Sequence, residues 1–452
     1  MEKGVGSREQ WGTSIGFILA AAGSAIGLGN IWKFPFITGM YGGAAFVLFY
    51  LISILMIGLP VMLIEFSIGR NTQLNPVGAF RKLAPEGPYY IIGIIGVLVG
   101  FIVLSYYSVI AGWTISYLFK AIEGGFSGFN SPEVAGESFA RFSSHPVWPI
   151  VAHAVFMFLC MFFVIKGIKS GIERGNRILM PTMFLIIILL VVRGLTLEGG
   201  EAGIAFLFAP DFSKLTGNAM LVAVGHAFFT LSLGMGAMLT YGSYLGKQEN
   251  LVKSALWIII ADTGVALLAG VAIFTAVFAM GFQPNAGPGL VFHVLPAIFS
   301  VMPGGYFIGI LFFLLLSIAA LTSGMSLLEV VVTYFVDEKG WTRKNAAVVF
   351  GIVIFLLGIP SALSFGMLNG VTLFGMNLFD FFDYLSFKYL MPLGGLTMVL
   401  FTVFRWKPAN LLAELKQGGK GIPLTPAIAG VLLVISALFV GIVFVAGILG
   451  KA

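Results

Sequence analysis

Charge is what this sequence has least of. Its 452 residues include 25 Lys and Arg and 19 Asp and Glu, so 10% are charged. A soluble domain carries about 25%. A water-soluble globule this poor in charge has no polar skin. A soluble enzyme, a disordered chain and a nucleic-acid binder are therefore excluded together. The net charge of +6 does not reopen the last of these, because the basic residues are scattered over loops rather than clustered. No nucleic-acid partner is expected. Cysteine is nearly absent, and a lone Cys160 excludes both an intrachain disulfide framework and a Cys-rich metal site. The four histidines (His145, His153, His226 and His293) are scattered and form no H-E-x-x-H, which leaves a membrane-embedded enzyme without a constellation to work with. Apolar–polar alternation is missing too, which argues against a β-barrel.

What is present is continuous apolar sequence. Hydrophobic residues make up 59% and mean hydropathy is +1.02. At about 20 residues per span this supplies about ten to thirteen helices. Eleven segments are expected, near 13–38, 42–69, 89–121, 147–166, 175–193, 217–246, 254–281, 305–336, 345–364, 374–403 and 425–449. The fold class is thus an all-α polytopic membrane protein, one transmembrane domain over 1–452. No soluble domain is large enough to fold alone. The first segment is read as a span rather than a cleaved signal, because Glu2, Lys3, Arg8 and Glu9 balance one another. With the N-terminus cytoplasmic, eighteen of the 25 Lys and Arg fall on inner segments, from Lys3 and Arg8 through Lys166–Arg177 to Arg405–Lys420. The expectation is a multi-pass plasma-membrane protein in contact with lipid, N-terminus inside and C-terminus outside. The longest loops, about 122–146, 194–216 and 282–304, are then outer ones.

Two segments contain glycine clusters near mid-span: Gly23-Ser24-Ala25-Ile26-Gly27-Leu28-Gly29-Asn30 in the first, and Thr230-Leu231-Ser232-Leu233-Gly234-Met235-Gly236 in the sixth. Each interior Gly costs a helix about 1 kcal/mol relative to Ala. Unwound backbone at membrane depth is tolerated only where it lines a cavity. Close helix packing also uses small residues, and that reading suits isolated pairs such as Gly96 and Gly100. These clusters adjoin Asn30, Thr230 and Ser232, polar groups that packing does not require, so unwinding is expected. Matching breaks in the first and sixth segments place them at corresponding positions of two five-helix halves. That pattern points to an inverted-repeat transporter with a midplane site; the leucine-transporter fold is a worked example of the rule.

The sequence resembles the neurotransmitter:sodium symporters. The resemblance rests on Trp11 through Pro35, Ile64–Arg70, Ser105-Tyr106-Tyr107, Phe228–Gly234 and Ala319–Ser323, in family order between about residues 7 and 405. It looks like the bacterial eleven-helix branch, and Gly234-Met235-Gly236 is similar to its multihydrophobic amino-acid transporters. The implied architecture is a leucine-transporter-like 5+5 inverted repeat with helices 1 and 6 unwound: repeat one about 10–193, repeat two about 217–403, and an extra helix about 425–449. The implied activity is sodium-coupled symport of hydrophobic L-amino acids, with two Na⁺.

The resemblance implies a first sodium site from the Ala25 carbonyl, Asn30, Thr230, Asp262 and the substrate carboxylate. A second uses the carbonyls of Gly23, Ile26 and Ala319 with the hydroxyls of Thr322 and Ser323. These are hard oxygens, suited to a hard cation. The substrate ammonium would meet carbonyls near the breaks and Ser232; its carboxylate would meet backbone N–H groups at Leu28 and Gly29 and the Tyr107 hydroxyl. The resemblance places Ala25, Gly27, Thr230 and Ser323 against the substrate as well. Taken singly, a membrane Ser or Thr more often bonds its own helix backbone, and Tyr107 reads equally as a buried aromatic.

Three positions sharpen the implication. Monoamine-selective relatives carry an aspartate where this chain has Gly27, so an amino acid rather than a monoamine is implied. Asp262 is a carboxylate in mid-span, costing at least ~2.5–3.5 kcal/mol if ionised, so a functional reading is the default; a protonated, hydrogen-bonded Asp is the alternative. Animal relatives have Asn there and bind chloride with a serine four residues on, which here is Ala266. Asp262 would replace that chloride, and would take a proton when sodium leaves. Met235, with Val103, Phe229 and Leu327, would line a side-chain pocket adaptable to aliphatic and aromatic groups. Core packing is the other reading, equally good for Leu327.

Lys33 and Asp383 match the outer gate, with Lys lacking the bidentate fork of the more usual Arg. His226 replaces a usual Gln beside it and is expected to be neutral and hydrogen-bonded. Tyr107 and Phe229 would form a lid. Arg8 and Asp337 match the inner gate, with Trp11 and Tyr244 nearby. Gly171 and Pro181 fit a Gly-x9-Pro motif, either as an unwinding inner end of the fifth segment or as a helix start. A channel and a non-transporting amino-acid receptor are the competing functions; retention of both gates and the second sodium site favours transport.

Overall fold

The computed structural model describes residues 8–284, 289–419 and 421–448. Lys3 and Lys420, counted for orientation, and position 449 lie outside them, as does part of the loop 282–304. Local capping starts several spans where the sequence offers a small polar side chain. Thr13 Oγ1 accepts from the Gly16 N–H (3.0 Å), Thr216 Oγ1 from Ala219 (3.1 Å), Asn250 Oδ1 from Lys253 (3.0 Å) and Thr342 Oγ1 from Asn345 (3.2 Å).

Among the described residues nine helices are long and apolar enough to cross a membrane: Ala44–Thr72, Tyr90–Ile122, Trp148–Ile165, Ile168–Leu195, Leu251–Ala279, Gly305–Lys339, Arg343–Leu363, Leu378–Trp406 and Pro426–Ala446. A tenth is the pair Ser14–Ala25 and Gly29–Met40, bent by 47° at its break. The eleventh expected segment does not meet that criterion. It is the sixth, divided into Gly217–Thr230 and Ala237–Gly242, 14 and 6 residues long. The three expected outer loops contain short helices of their own, Pro132–Ser143, Glu201–Phe208 and Leu295–Val301. The strand content among the described residues is a two-residue antiparallel ladder, Thr372–Leu373 with Met376–Asn377.

The first half of the first segment packs against the fifth, seventh and eighth segments, and the eighth packs along the third. The second half of the sixth lies against the second. That approach is close: a Cβ on Gly69 would meet the Leu239 carbonyl oxygen at 2.1 Å, and one on Gly242 would meet Phe66 Cα at 2.9 Å. Outward faces expose large apolar side chains such as Phe158, Ile178, Leu185 and Phe307, more than a water-facing surface carries. At one end the helix Pro408–Lys416 is stapled to the second segment. The buried Arg70 guanidinium donates to Glu414 Oε1 (2.7 Å) and to the Glu249 carbonyl (2.6 Å). Burial alone would raise the Glu414 carboxyl, but bonds from Asn71, Arg70 and Lys247 hold it below its ordinary value.

Candidate functional site

The site is built around the two breaks. In the first segment Ile26 leaves the helix at ψ 100°, and Gly27 and Leu28 bridge to the second half. Asn30 ties the break down. Its Oδ1 accepts from the Gly27 N–H (3.0 Å) and its Nδ2 donates to Asp262 Oδ1 (2.8 Å) and the Asp262 carbonyl (3.0 Å). In the sixth segment Ser232, Gly234 and Gly236 all take positive φ, at 52°, 75° and 74°. A run of left-handed residues cannot continue an α-helix, so this break is written into the chain.

A narrow cavity lies between the breaks. Eleven of the twelve residues expected to meet substrate line it: Ala25, Gly27, Leu28, Gly29, Val103, Tyr107, Phe229, Ser232, Met235, Ser323 and Leu327. Thr230 does not; it is turned to Asp262, donating to Oδ1 at 3.1 Å. Ser24 lines the cavity and was not expected. Its carbonyl accepts from Ser232 Oγ (2.8 Å) and Ser323 Oγ (3.0 Å), so it fastens the two breaks and the eighth segment together. The polar groups of the lining are tied in: the Ser24 carbonyl accepts from Ser232 and Ser323, and the Tyr107 hydroxyl accepts from the Leu28 N–H. The side chains of Val103, Phe229, Met235 and Leu327 make the rest of the lining apolar.

The residues expected at the first ion position, Asn30, Thr230 and Asp262, form one fully buried cluster, with Ala25 on the cavity wall. Those expected at the second also meet. Ser323 Oγ donates to the Gly23 carbonyl at 3.3 Å, and Thr322 Oγ1 to the Ala319 carbonyl at 3.0 Å. Ile26, whose own N–H bonds the Ala22 carbonyl at 2.6 Å, ends the helix beside them. Both clusters offer oxygen rather than sulfur or imidazole. Accordingly, among the described residues no group of three His, Cys, Asp or Glu converges on a metal position.

Comparison with known proteins agrees with this geometry. The model of the sodium:neurotransmitter symporter family matches residues 8–128 and 137–450. The chain belongs to that family. The solved structure of MhsT in complex with L-phenylalanine is 47% identical and superposes with a TM-score of 0.90, covering 98% of this chain and 100% of that one. A sodium-dependent transporter of Bacillus subtilis is 45% identical over 411 residues, 90% of either chain. One from Haemophilus influenzae is 37% identical over 408 residues, 88% of this chain and 89% of that one. The symporter therefore has the leucine-transporter-like fold, and its relatives are sodium-dependent transporters, not enzymes.

Both ion pairs expected as gates are formed at once. Lys33 Nζ lies 3.5 Å from Asp383 Oδ1, a long contact for an ion pair. The ammonium also sits 3.9 Å from the Phe387 ring centre and 4.7 Å from that of Phe229, and such cation–π contacts went unanticipated in the sequence. In the second pair Arg8 NH1 meets Asp337 Oδ2 at 2.6 Å, Arg8 lies 4.6 Å over the Tyr244 ring, and Trp11 Nε1 donates to the Tyr241 carbonyl at 3.0 Å. His226 departs from expectation. Neither ring nitrogen has a hydrogen-bond partner among the described residues; the ring lies instead among those of Phe34, Tyr50 and Phe229. The Gly-x9-Pro stretch fits neither reading outright. Ile168–Glu173, including Gly171, is wound as π-helix, and Pro181 lies inside the helix Arg174–Leu195.

Glu65, within the Ile64–Arg70 motif, supports the site from outside the cavity. Wholly buried on the second segment, it accepts from the Gly234 N–H (2.8 Å) and the Leu239 N–H (3.1 Å). It thereby satisfies two donors freed by the sixth-segment break. Glu65→Leu leaves both buried N–H groups unpaired, at ~1–3 kcal/mol each. Thermal unfolding of the detergent-purified protein should show a large loss of stability, and Glu65→Gln a smaller one. A Glu65→Leu protein as stable as wild type would refute the capping role.

Proposed function

We propose that this chain is a sodium-coupled symporter that brings hydrophobic L-amino acids, aliphatic and aromatic, into the cell by alternating access. The observation that carries the reading is the mixed lining of the cavity between the breaks. Its bare peptide groups and hydroxyls suit an α-amino and α-carboxyl group; its apolar side chains suit an uncharged side chain. Gly27 adds no charge beside the ammonium position, which favours a substrate with its own carboxylate. Met235 between two glycines is a flexible wall, which supports breadth of side chain. That MhsT was solved with L-phenylalanine is in keeping with this.

In this reading two Na⁺ are carried as co-substrates. Ala25, Asn30, Thr230 and Asp262 hold the first with the substrate carboxylate. Gly23, Ile26, Ala319, Thr322 and Ser323 hold the second. Repeat one covers about 10–193 and repeat two about 217–403, with the N-terminus in the cytoplasm and the C-terminus outside the plasma membrane. Lys33–Asp383 and Arg8–Asp337 close the two sides, and their joint closure corresponds to an occluded step between openings. Uphill uptake of labelled L-phenylalanine into proteoliposomes, driven by a sodium gradient alone, is the expected result. Binding without net uptake would make the protein a receptor on a transporter fold.

Two sodium charges face one substrate carboxylate and Asp262, so the balance closes without chloride. Uptake is therefore chloride-independent, and Asp262 takes a proton as sodium leaves, giving proton counter-transport. Asp262→Asn removes the second negative charge. It should make uptake depend on chloride or abolish it, read as initial rates in chloride and gluconate media. Unchanged chloride-free uptake by this variant would reject both ideas.

A further inference from the structure

Asn176, on the fifth segment, is fully buried, and its Oδ1 has no hydrogen-bond partner among the described residues. The orientation of its amide is fixed by chemistry. Nδ2 donates to the Ile172 carbonyl at 2.9 Å, and only the nitrogen end of a carboxamide can do that. The oxygen therefore faces the other way, onto the first segment. A Cβ built on Gly23 would fall 2.2 Å from Asn176 Oδ1, 3.1 Å from Met180 Sδ and 3.1 Å from Thr322 Cβ. The oxygen thus points at the backbone of Gly23, beside Thr322, and glycine at 23 is what gives it room.

None of these neighbours can donate a hydrogen bond to it. The Thr322 hydroxyl donates to the Ala319 and Ile318 carbonyls. Met180 has no proton to give, and Gly23 presents a carbonyl that already accepts from Ser323. A buried oxygen whose surroundings are further acceptors is matched by a cation rather than by a donor side chain. The amide is also tied to a particular piece of backbone. Ile172 lies in the π-helical turn Ile168–Glu173, a geometry that appears mostly as single turns at functional positions. One turn closer to the inner end, Glu173 accepts from the Gly12 N–H (2.6 Å) and from Arg177 (2.6 Å), clasping the start of the first segment to the same turn.

We propose that Asn176 is a further sodium-facing residue: its side-chain oxygen receives the ion of the second site as that ion leaves inward, and its bond to Ile172 ties that transfer to the π-helical turn. The inference rests on Gly23, Ile26, Ala319, Thr322 and Ser323 forming a sodium site, as proposed above. Asn176 is an additional ligand beside the set of five, close enough at Gly23 and Thr322 for its oxygen to act on the bound ion as well as on the departing one.

The test compares Asn176→Asp and Asn176→Leu, both close to Asn in size, in the full-length purified protein. Sodium titrations of labelled L-phenylalanine binding are paired with sodium-driven uptake into proteoliposomes. Added ligand charge tightens a cation site. Asn176→Asp should raise apparent sodium affinity about fivefold and slow uptake about tenfold, because the ion is held on its way out. Asn176→Leu removes the oxygen. It should weaken apparent sodium affinity and slow uptake while binding at saturating sodium stays within about twofold. Opposite shifts in sodium affinity are the signature, since a purely structural Asn would be damaged in the same direction by both changes. Shifts of the same sign, or none, overturn the proposal, as would a site that hosts only water. If the Leu variant does not fold, the Asp titration decides alone. Thr322→Ala is the control for the underlying site. If it weakens sodium dependence while both Asn176 variants match wild type, only the Asn176 role fails; if it has no effect on sodium dependence, the second site itself is refuted.

Discussion

Alanine at position 27 will cost the protein its substrate without costing it its fold. A Cβ at Gly27 would lie 2.5 Å from Ser323 Oγ, 3.3 Å from Ser323 Cβ and 3.1 Å from the Tyr107 hydroxyl. The Ser323 hydroxyl cannot step aside freely, because it is bonded to the Ser24 and Gly23 carbonyls. Turning it away would break the link between the first and eighth segments and withdraw an oxygen from the proposed second sodium site. The Tyr107 hydroxyl, which accepts from the Leu28 N–H at 3.4 Å, would be displaced from its place in the cavity lining. The methyl group also takes space from an already narrow cavity. A loss of at least ~2.7 kcal/mol, or about 100-fold in affinity, is expected for Gly27→Ala. Gly27 is not among the glycines with positive φ, so its backbone tolerates a side chain and the protein should still fold, with a modest loss of thermal stability from the displaced Ser323 bonds. Gly234→Ala is the contrast: φ is +75° and a Cβ would strike the Met391 carbonyl oxygen at 2.3 Å, so that variant should fail to fold. Binding by Gly27→Ala within threefold of wild type would show that the cavity is not where substrate sits.

The contrast between these glycines marks what could be read from the sequence. Runs of glycine beside Asn30, Thr230 and Ser232 are local features, and both breaks fall inside the clusters that announced them. The cavity lining followed once the breaks were placed, because residues flanking a break have few other directions to face. Ser24 escaped notice although it lies within the first cluster, since it acts through its carbonyl, and every residue has one. Thr230 was assigned two roles, and its hydroxyl takes the one toward Asp262. The larger gap concerns buried carboxylates. The rule that singled out Asp262, a charge within an apolar span, applied equally to Glu65 and Glu329. Each has a partner far along the chain: Glu65 meets Gly234 across 169 residues, and Glu329 meets Tyr244 across 85. One sequence gives the cost of such a group but not the group that offsets it. For the same reason Asn176 was invisible, its significance lying in what it does not bond.

Glu329 supplies the second large effect, on the balance between open and closed states rather than on affinity. Its carboxylate is wholly buried on the eighth segment and accepts from Arg343 at 2.6 and 2.8 Å, from the Tyr244 hydroxyl at 2.6 Å and from Thr333 Oγ1 at 3.0 Å. Arg343 belongs to the ninth segment and Tyr244 follows the sixth, so one carboxylate joins three parts of the inner closure. Removing the cation from a buried pair strands the other charge, at ~3–5 kcal/mol. The Arg343 side chain is 20% exposed, so some water can replace it and the lower end of that range applies. The penalty exists only while Glu329 is dry; opening toward the cytoplasm hydrates it. Arg343→Ala should therefore shift the equilibrium toward the inward-open form by up to ~100-fold. A Tyr241→Cys probe, placed where Trp11 covers the backbone, should react with a thiol reagent correspondingly faster, while sodium-driven uptake falls. In the Arg8–Asp337 pair the carboxylate keeps some water, at 17% exposed against 0% for Glu329. A part-hydrated carboxylate loses less when its cation is removed, so Arg8→Ala should move the same probe less. Neutralising the stranded group provides the decisive arm. Adding Glu329→Gln to Arg343→Ala should return probe reactivity most of the way to wild type, since an amide does not need the guanidinium. If the double variant is as open as Arg343→Ala alone, the inner closure does not depend on this buried charge pair.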